Sequence, residues 1–469
     1  MHAHTIEGWL RAFADGHATP HDAWNACLRA IEARNGELNA IPTRRDAATV
    51  HAELDAQTQA LRENRPIGVL AGLPYVAKDI FETAGLRTTF GSPIFADHVP
   101  TRDAPIVGRL RAAGAVLVGK SNTPEFAAGS QTFNPVLGAT RNPHDPSRTA
   151  GGSSGGAACA LATGMALVAD GSDLAASLRN PASFCGVVGL RPSAYLDPTL
   201  QPDANAFGTL NVVGPLGRSV TDAEIAYRAL FEQPVARPMD QWVRWLDDLL
   251  GAARPATAPL RLAYSADLGG VPVEGAVRDA FGAAIERLRA AGIELVEAHP
   301  DFDGADESFL ALRALYFVEN FAELHARESA RMKDAVRWNI EQGLSLSAAD
   351  VARAHRLRTA VFGRVAAFMV GCDAWLTPTS QVLPFPLDQA TPTHVDDVPL
   401  ANYVDWLKSC YWITVAGHPA LSIPCGFAAP ADGTSALPVG LQVMGRWRGE
   451  AALFGVGRVI ERVLAHANG

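Results

Sequence analysis

The feature that most constrains this chain is the stretch Thr149–Ser193, where glycine, alanine and serine crowd around two short polar turns. It opens with Gly151-Gly152-Ser153-Ser154-Gly155-Gly156, passes through small residues, and reaches a second turn, Asp173-Leu174-Ala175-Ala176-Ser177-Leu178-Arg179. Small residues at this density let backbones approach closely and leave amide N–H groups uncovered, which is how a chain builds an anion cradle or an oxyanion hole. Composition alone is equally met by a helix packed tightly on a sheet with a glycine-rich turn at each end. Two serines in such turns become a mechanism only with a base, and the base must come from elsewhere.

The candidates for that base are few. None of the 13 histidines stands in a Ser-His-Asp order that its context supports, and no metal-ligand spacing such as H-E-x-x-H occurs. Lys78 is different. It ends the apolar run Leu73-Pro74-Tyr75-Val76-Ala77, where a lysine stem would be buried. Burial disfavours the charged ammonium and makes a neutral amine available. Asp79 follows in the strand, points to the opposite face, and need not pair with the amine.

GGSSGG, DLAASLRNPA and FCGVVGLRPS, in this order and spacing, closely resemble the signature of the amidase signature family of serine hydrolases. Gly72-Leu73-Pro74 through Lys78-Asp79 is similar to the family segment that carries a catalytic lysine, and Gly214–Asp222 and Leu437–Gly445 are similar to later family segments. The resemblance covers nearly the whole chain, most strongly 72–222 and 411–460. It implies an α/β fold with a mixed central β-sheet flanked by helices on both faces, in a single amidase domain over 1–469. It also implies amide cleavage with Ser177 as nucleophile. Ser153, behind a cis peptide after Gly152, would relay protons to Lys78 as base. Backbone N–H groups of Leu174, Ala175, Ala176 and Ser177 would form the oxyanion hole, and Ala127 and Ser153 would touch substrate. One departure stands out: Ala175-Ala176 replaces a glycine pair. If either position needs a positive φ, alanine there costs about 1–2 kcal/mol; if neither does, it merely narrows the pocket wall.

Two motifs are decoys. Gly114–Ser121 satisfies G-x-x-x-x-G-K-[ST], but its middle residues, Ala-Val-Leu-Val, read as a strand rather than a phosphate-cradling loop. Nucleotide binding is therefore rejected, and Lys120 is expected to matter little to the rate. Ser154 is central in a G-x-S-x-G match, yet the residues before it form a loop, not the strand that a nucleophile elbow requires.

The rest of the sequence bounds the setting. Helices are expected around a start at Thr19-Pro20 with a stop at Asn35-Gly36, and over about 47–62, packed outside a sheet. Residues 237–256 read as a helix and a Pro/Ala-rich connection. A variable, mainly helical region over about 235–370 is expected to lie near the pocket and set substrate choice, with strands returning at 375–379, 416–424 and 437–445. A net charge of −9 without a basic run argues against nucleic acid. Six scattered cysteines, no signal peptide and no long apolar run point to a cytoplasmic protein, off the membrane. The partners expected are a small-molecule amide and, for a homodimer, a second copy; no metal or cofactor is expected. Two rival readings stand beside the amide hydrolase: a glutamine-hydrolysing amidotransferase subunit, and an amidase-like binding protein with an impaired oxyanion hole.

Overall fold

The computed structural model describes residues 5–194, 205, 207–232 and 260–465. Its centre is a mixed sheet of eleven strands. From one edge the order is Thr43–Arg44, Val116–Ser121, Pro74–Lys78, Val168–Asp173, Val212–Gly217, Val188–Arg191, Ala420–Ala428, Leu437–Met444, Ala374–Pro378, Arg261–Tyr264 and Glu294–Glu297. Pro74–Lys78 runs parallel to both neighbours, the middle strands alternate antiparallel, and the far edge is parallel again. The central strands are buried along their whole length, which explains their near-continuous apolar runs. With helices packed against it, this is the α/β architecture with a mixed central sheet that the sequence led us to expect.

Helix ends follow local chemistry. Thr19 caps Pro20–Leu38, with Asp22 reaching back to the Thr19 N–H at 2.8 Å. This helix runs through Asn35-Gly36 rather than stopping there. The Asn35 side chain is spent on the Ile41 backbone, donating to its carbonyl at 3.0 Å and accepting from its N–H at 2.9 Å. The stop is Asn39, in the left-handed region with φ of 52°.

The expectation of a mainly helical layer over 235–370 needs two corrections. Gly275–Ala290 packs on the sheet, with Phe281, Ile285 and Leu288 against Ile423, Leu441 and Val443, and Glu294–Glu297 is an edge strand. Ala305–Glu328, Asp334–Leu344 and Ala348–Met369 form the helical side layer. The strand expected from 416 begins at Ala420, because Lys408–Ala416 is a helix closed by Gly417. The helix expected over 237–256 lies outside the described residues.

Glycine is required where the signature helix, Gly155–Ala162, meets the sheet. A Cβ on Gly156 would stand 2.2 Å from the Asn122 backbone N, and one on Gly171 would stand 2.6 Å from Ser154 Oγ. No helix among the described residues is long and apolar enough to cross a membrane.

Candidate active site

Lys78 sits at the C-terminal end of its strand, fully buried. Its Nζ lies 2.7 Å from Ser153 Oγ, 3.0 Å from Ser154 Oγ and 3.1 Å from Ser172 Oγ. Ser153 follows a cis Gly152–Ser153 peptide, and Ser172 belongs to the adjacent parallel strand, Val168–Asp173. The amine therefore faces hydroxyls. Burial lowers its pKa from 10.5 to about 7, while the more distant carboxylates of Asp170 and Asp173 pull it upward. Asp170 is part of the same buried group: it accepts the Lys78 backbone N–H at 2.7 Å and the Tyr75 hydroxyl. Burial raises its pKa to about 6.

Asp79 turns away, as strand alternation implied, and accepts from Thr89. Lys120 pairs in register with Ala77, so it leaves the sheet on the face opposite Lys78. It is fully buried, donates to Thr83 Oγ1 at 2.7 Å and to the Phe81 carbonyl, and faces the charge of Asp79. Val116–Ser121 is a strand, as the rejection of the phosphate loop required. The contacts of Lys120 are structural, which leaves the expectation about the rate untouched and adds a cost in stability. Lys120→Ala should cost roughly 1–3 kcal/mol of stability by leaving buried polar groups without a donor. Urea unfolding monitored by circular dichroism would measure the loss.

Ser177 lies in the bend between the Val168–Asp173 strand and the short helix Arg179–Cys185. The bend is braced from behind. Arg179 forks onto Asp173 with two bonds of 3.0 Å and donates to the Ala175 carbonyl, Thr414 Oγ1, Gln442 Oε1 and the Cys410 carbonyl. Burial opposes the Asp173 charge, but Arg179 and Arg191 outweigh it and hold the carboxyl below its usual range. Neither Ala175 nor Ala176 has a positive φ, so the alanine pair costs no backbone strain. Among the described residues, nothing accepts from the N–H groups of Ala175, Ala176 and Ser177.

Ser153, Ser172 and Ser177 open into one cavity of about 400 Å³. Its other walls are Ile80, Phe90, Phe126, Ala127, Leu174 and Asn211, together with Tyr316, Phe317, Asn320 and Phe321 of the Ala305–Glu328 helix. Among the described lining residues, no side chain is charged. Ala127 lies in a strained part of this wall: Phe90, Phe126 and Ala127 have φ of 53°, 47° and 56°. Glu125 anchors that wall by accepting from Ser92 Oγ at 2.6 Å and the Lys333 N–H at 2.8 Å. Sequence reasoning missed Ser154 and Ser172 as neighbours of the amine, Asp170 behind it, and the aromatic wall. Among the described residues, no cluster of His, Cys, Asp and Glu could hold a metal ion.

The arrangement, with a buried amine of lowered basicity, a serine hydroxyl 2.7 Å from it and a second serine beside uncommitted amides, suits nucleophilic acyl transfer. The family model for amidases matches residues 22–454. The chain is 34% identical to a glutamyl-tRNA(Gln) amidotransferase subunit from Anaeromyxobacter dehalogenans, over 94% of this chain and 92% of that one. It is 31% identical to an acylamidase of Rhodococcus erythropolis, over 94% and 93%. A crystal structure described as an amidase superposes with a TM-score of 0.83 at 28% identity, covering 98% of this chain and 100% of the other. Sequence, sheet and site thus lead to one assignment: the chain belongs to the amidase signature family of hydrolases.

Proposed function

We propose that this protein hydrolyses small uncharged carboxamides through an acyl-enzyme on Ser177, with residues 1–469 acting as one amidase domain. The supporting observation is the 2.7 Å approach of Lys78 Nζ to Ser153 Oγ at the edge of a cavity that Ser177 also lines. Neutral Lys78 takes the Ser153 proton while Ser153 takes that of Ser177, whose Oγ adds to the amide carbon. The developing oxyanion is received by N–H groups of the 174–177 bend. When the C–N bond breaks, Ser153 hands its proton to the departing nitrogen and Lys78 reprotonates Ser153. A water then attacks the ester by the same relay and frees Ser177. Free, buried cysteines support a reducing, cytoplasmic setting.

The described cavity walls support this reading over glutamine hydrolysis. Glutamine carries an α-ammonium and an α-carboxylate, and desolvating them against the described walls, which are uncharged and partly aromatic, costs several kcal/mol with no described ion to offset it. The impaired-scaffold reading loses its motive, since the alanine pair sits in ordinary backbone geometry. Across aromatic, aliphatic and urea-like amides and glutamine, kcat/KM should favour uncharged aromatic amides over glutamine by roughly 10³-fold. If glutamine proved the best substrate, the amidotransferase reading would take over.

A further inference from the structure

A second cavity, of about 350 Å³, lies against the catalytic one. Leu210, Leu312, Leu315, Phe362 and Trp447 give it an apolar lining, with Glu319, His355 and Arg358 also on its walls. The Ala305–Glu328 helix runs between the two spaces. Its Leu312, Leu315, Tyr316 and Glu319 share one stripe at helical spacing and line the groove, whereas Tyr316, Phe317, Asn320 and Phe321 form the next stripe and line the catalytic cavity. Among the described residues, Tyr316 alone belongs to both. Across from it the strip Leu210–Asn211 also divides, with Leu210 on the groove side and Asn211 on the catalytic side. Asn211 Nδ2 donates to the Tyr316 hydroxyl at 3.4 Å, a long contact across the partition.

We propose that Tyr316 is the specificity-determining partition of this enzyme, limiting substrates to those that end within the catalytic cavity, and that the groove is a latent subsite for the apolar chain of a longer amide. The inference rests on the amide-hydrolase reading above. Each space alone is near the lower end of the roughly 300–1,000 Å³ typical of small-molecule sites. The groove has apolar side chains that suit a hydrocarbon chain, and none of Lys78, Ser153 and Ser177 lines it. The tyrosine ring, not its hydroxyl, is the obstacle, because the ring occupies the space between the stripes.

The test is a series of acyl p-nitroanilides of increasing chain length. Wild type should show a length beyond which kcat/KM falls. Tyr316→Ala should raise kcat/KM for chains beyond that length at least tenfold relative to the shortest substrate, and Tyr316→Phe should keep the wild-type cutoff. Adding Thr359→Trp, on the exposed groove wall, should cancel the gain. A gain cannot come from damaged folding. Calorimetric titration of a long-chain amide into Ser177→Ala, with and without Tyr316→Ala, reads the same partition without turnover, so it stays decisive if no anilide is cleaved and the hydrolase reading fails. Equal effects of Tyr316→Ala at all lengths, or affinity for the long chain that does not increase, would overturn the partition.

Discussion

Ser177→Ala should abolish labelling by a fluorophosphonate and lower kcat by on the order of 10⁴–10⁶-fold, with the fold intact by circular dichroism. Such a loss is expected when a covalent nucleophile disappears and only binding and oxyanion stabilisation are left. Three serines compete for the role, and their surroundings separate them. Ser153 and Ser154 both approach Lys78 Nζ, so either could be deprotonated. Ser154 is fully buried, is absent from the cavity wall, and has its Oγ next to Gly171, where even a Cβ would collide. It cannot reach a carbonyl carbon. Ser153 reaches the cavity, but its hydroxyl is closest to the amine and suits transfer. Ser177 lines the cavity, has no hydrogen bond holding its Oγ among the described residues, and stands next to amides without acceptors. Ser154→Ala should therefore keep the label and most of the rate, whereas Ser153→Ala should lose most of the rate with the nucleophile still present. Mass spectrometry of the labelled peptide decides. A label on Ser154 in the wild-type protein would defeat the assignment.

The site was legible where its chemistry is local in sequence. Ser153 and Ser177 sit in turns marked by a density of small residues, although Gly156 among them serves close packing of the helix on the sheet, and Lys78 stands out once its place at the end of an apolar strand is joined to the family resemblance. The aromatic wall was not legible in the same way. Tyr316, Phe317 and Phe321 lie on a helix far beyond Ser177 in sequence and read as ordinary core spacing until the helix is seen beside the bend. Ser172 and Asp170 were hidden for another reason. They alternate along a strand whose partners, Pro74–Lys78 and Val212–Gly217, are set by sheet order, which a single sequence does not specify. The Asn35 stop failed because a side chain spent on a distant backbone is no longer free to end its own helix. The Glu294–Glu297 edge strand escaped notice because two of its four residues are charged and it pairs on one side only.

The pH dependence should carry the clearest signature of Lys78. Its ordinary value of 10.5 falls to about 7 because burial opposes the ammonium, and the Asp170 and Asp173 charges recover only part of that loss. Only the neutral amine can take a proton from Ser153, so kcat/KM should rise about tenfold per pH unit on the acid side and level off above a midpoint near 7. Lys78→Ala should remove this limb and lower the plateau by on the order of 10³–10⁵-fold. The same shift governs stability. Between the folded value near 7 and the unfolded value near 10.5, the unfolded chain holds the proton and the folded chain does not. Stability must then increase with pH across this window, by up to about 1.4 kcal/mol per unit from this group. The penalty of burying the amine is largest below pH 7, where folding must either expel its proton or bury the ammonium, and it fades toward pH 10.5. Lys78→Met keeps an apolar stem of similar length and removes the titration. The difference in unfolding free energy between the Lys78→Met variant and the wild-type protein should thus shrink as pH rises, whatever Lys120 and Lys333 contribute to both. An acid limb that survived in Lys78→Ala would move the base to another residue, and a stability difference independent of pH would mean that the amine is charged in the folded enzyme.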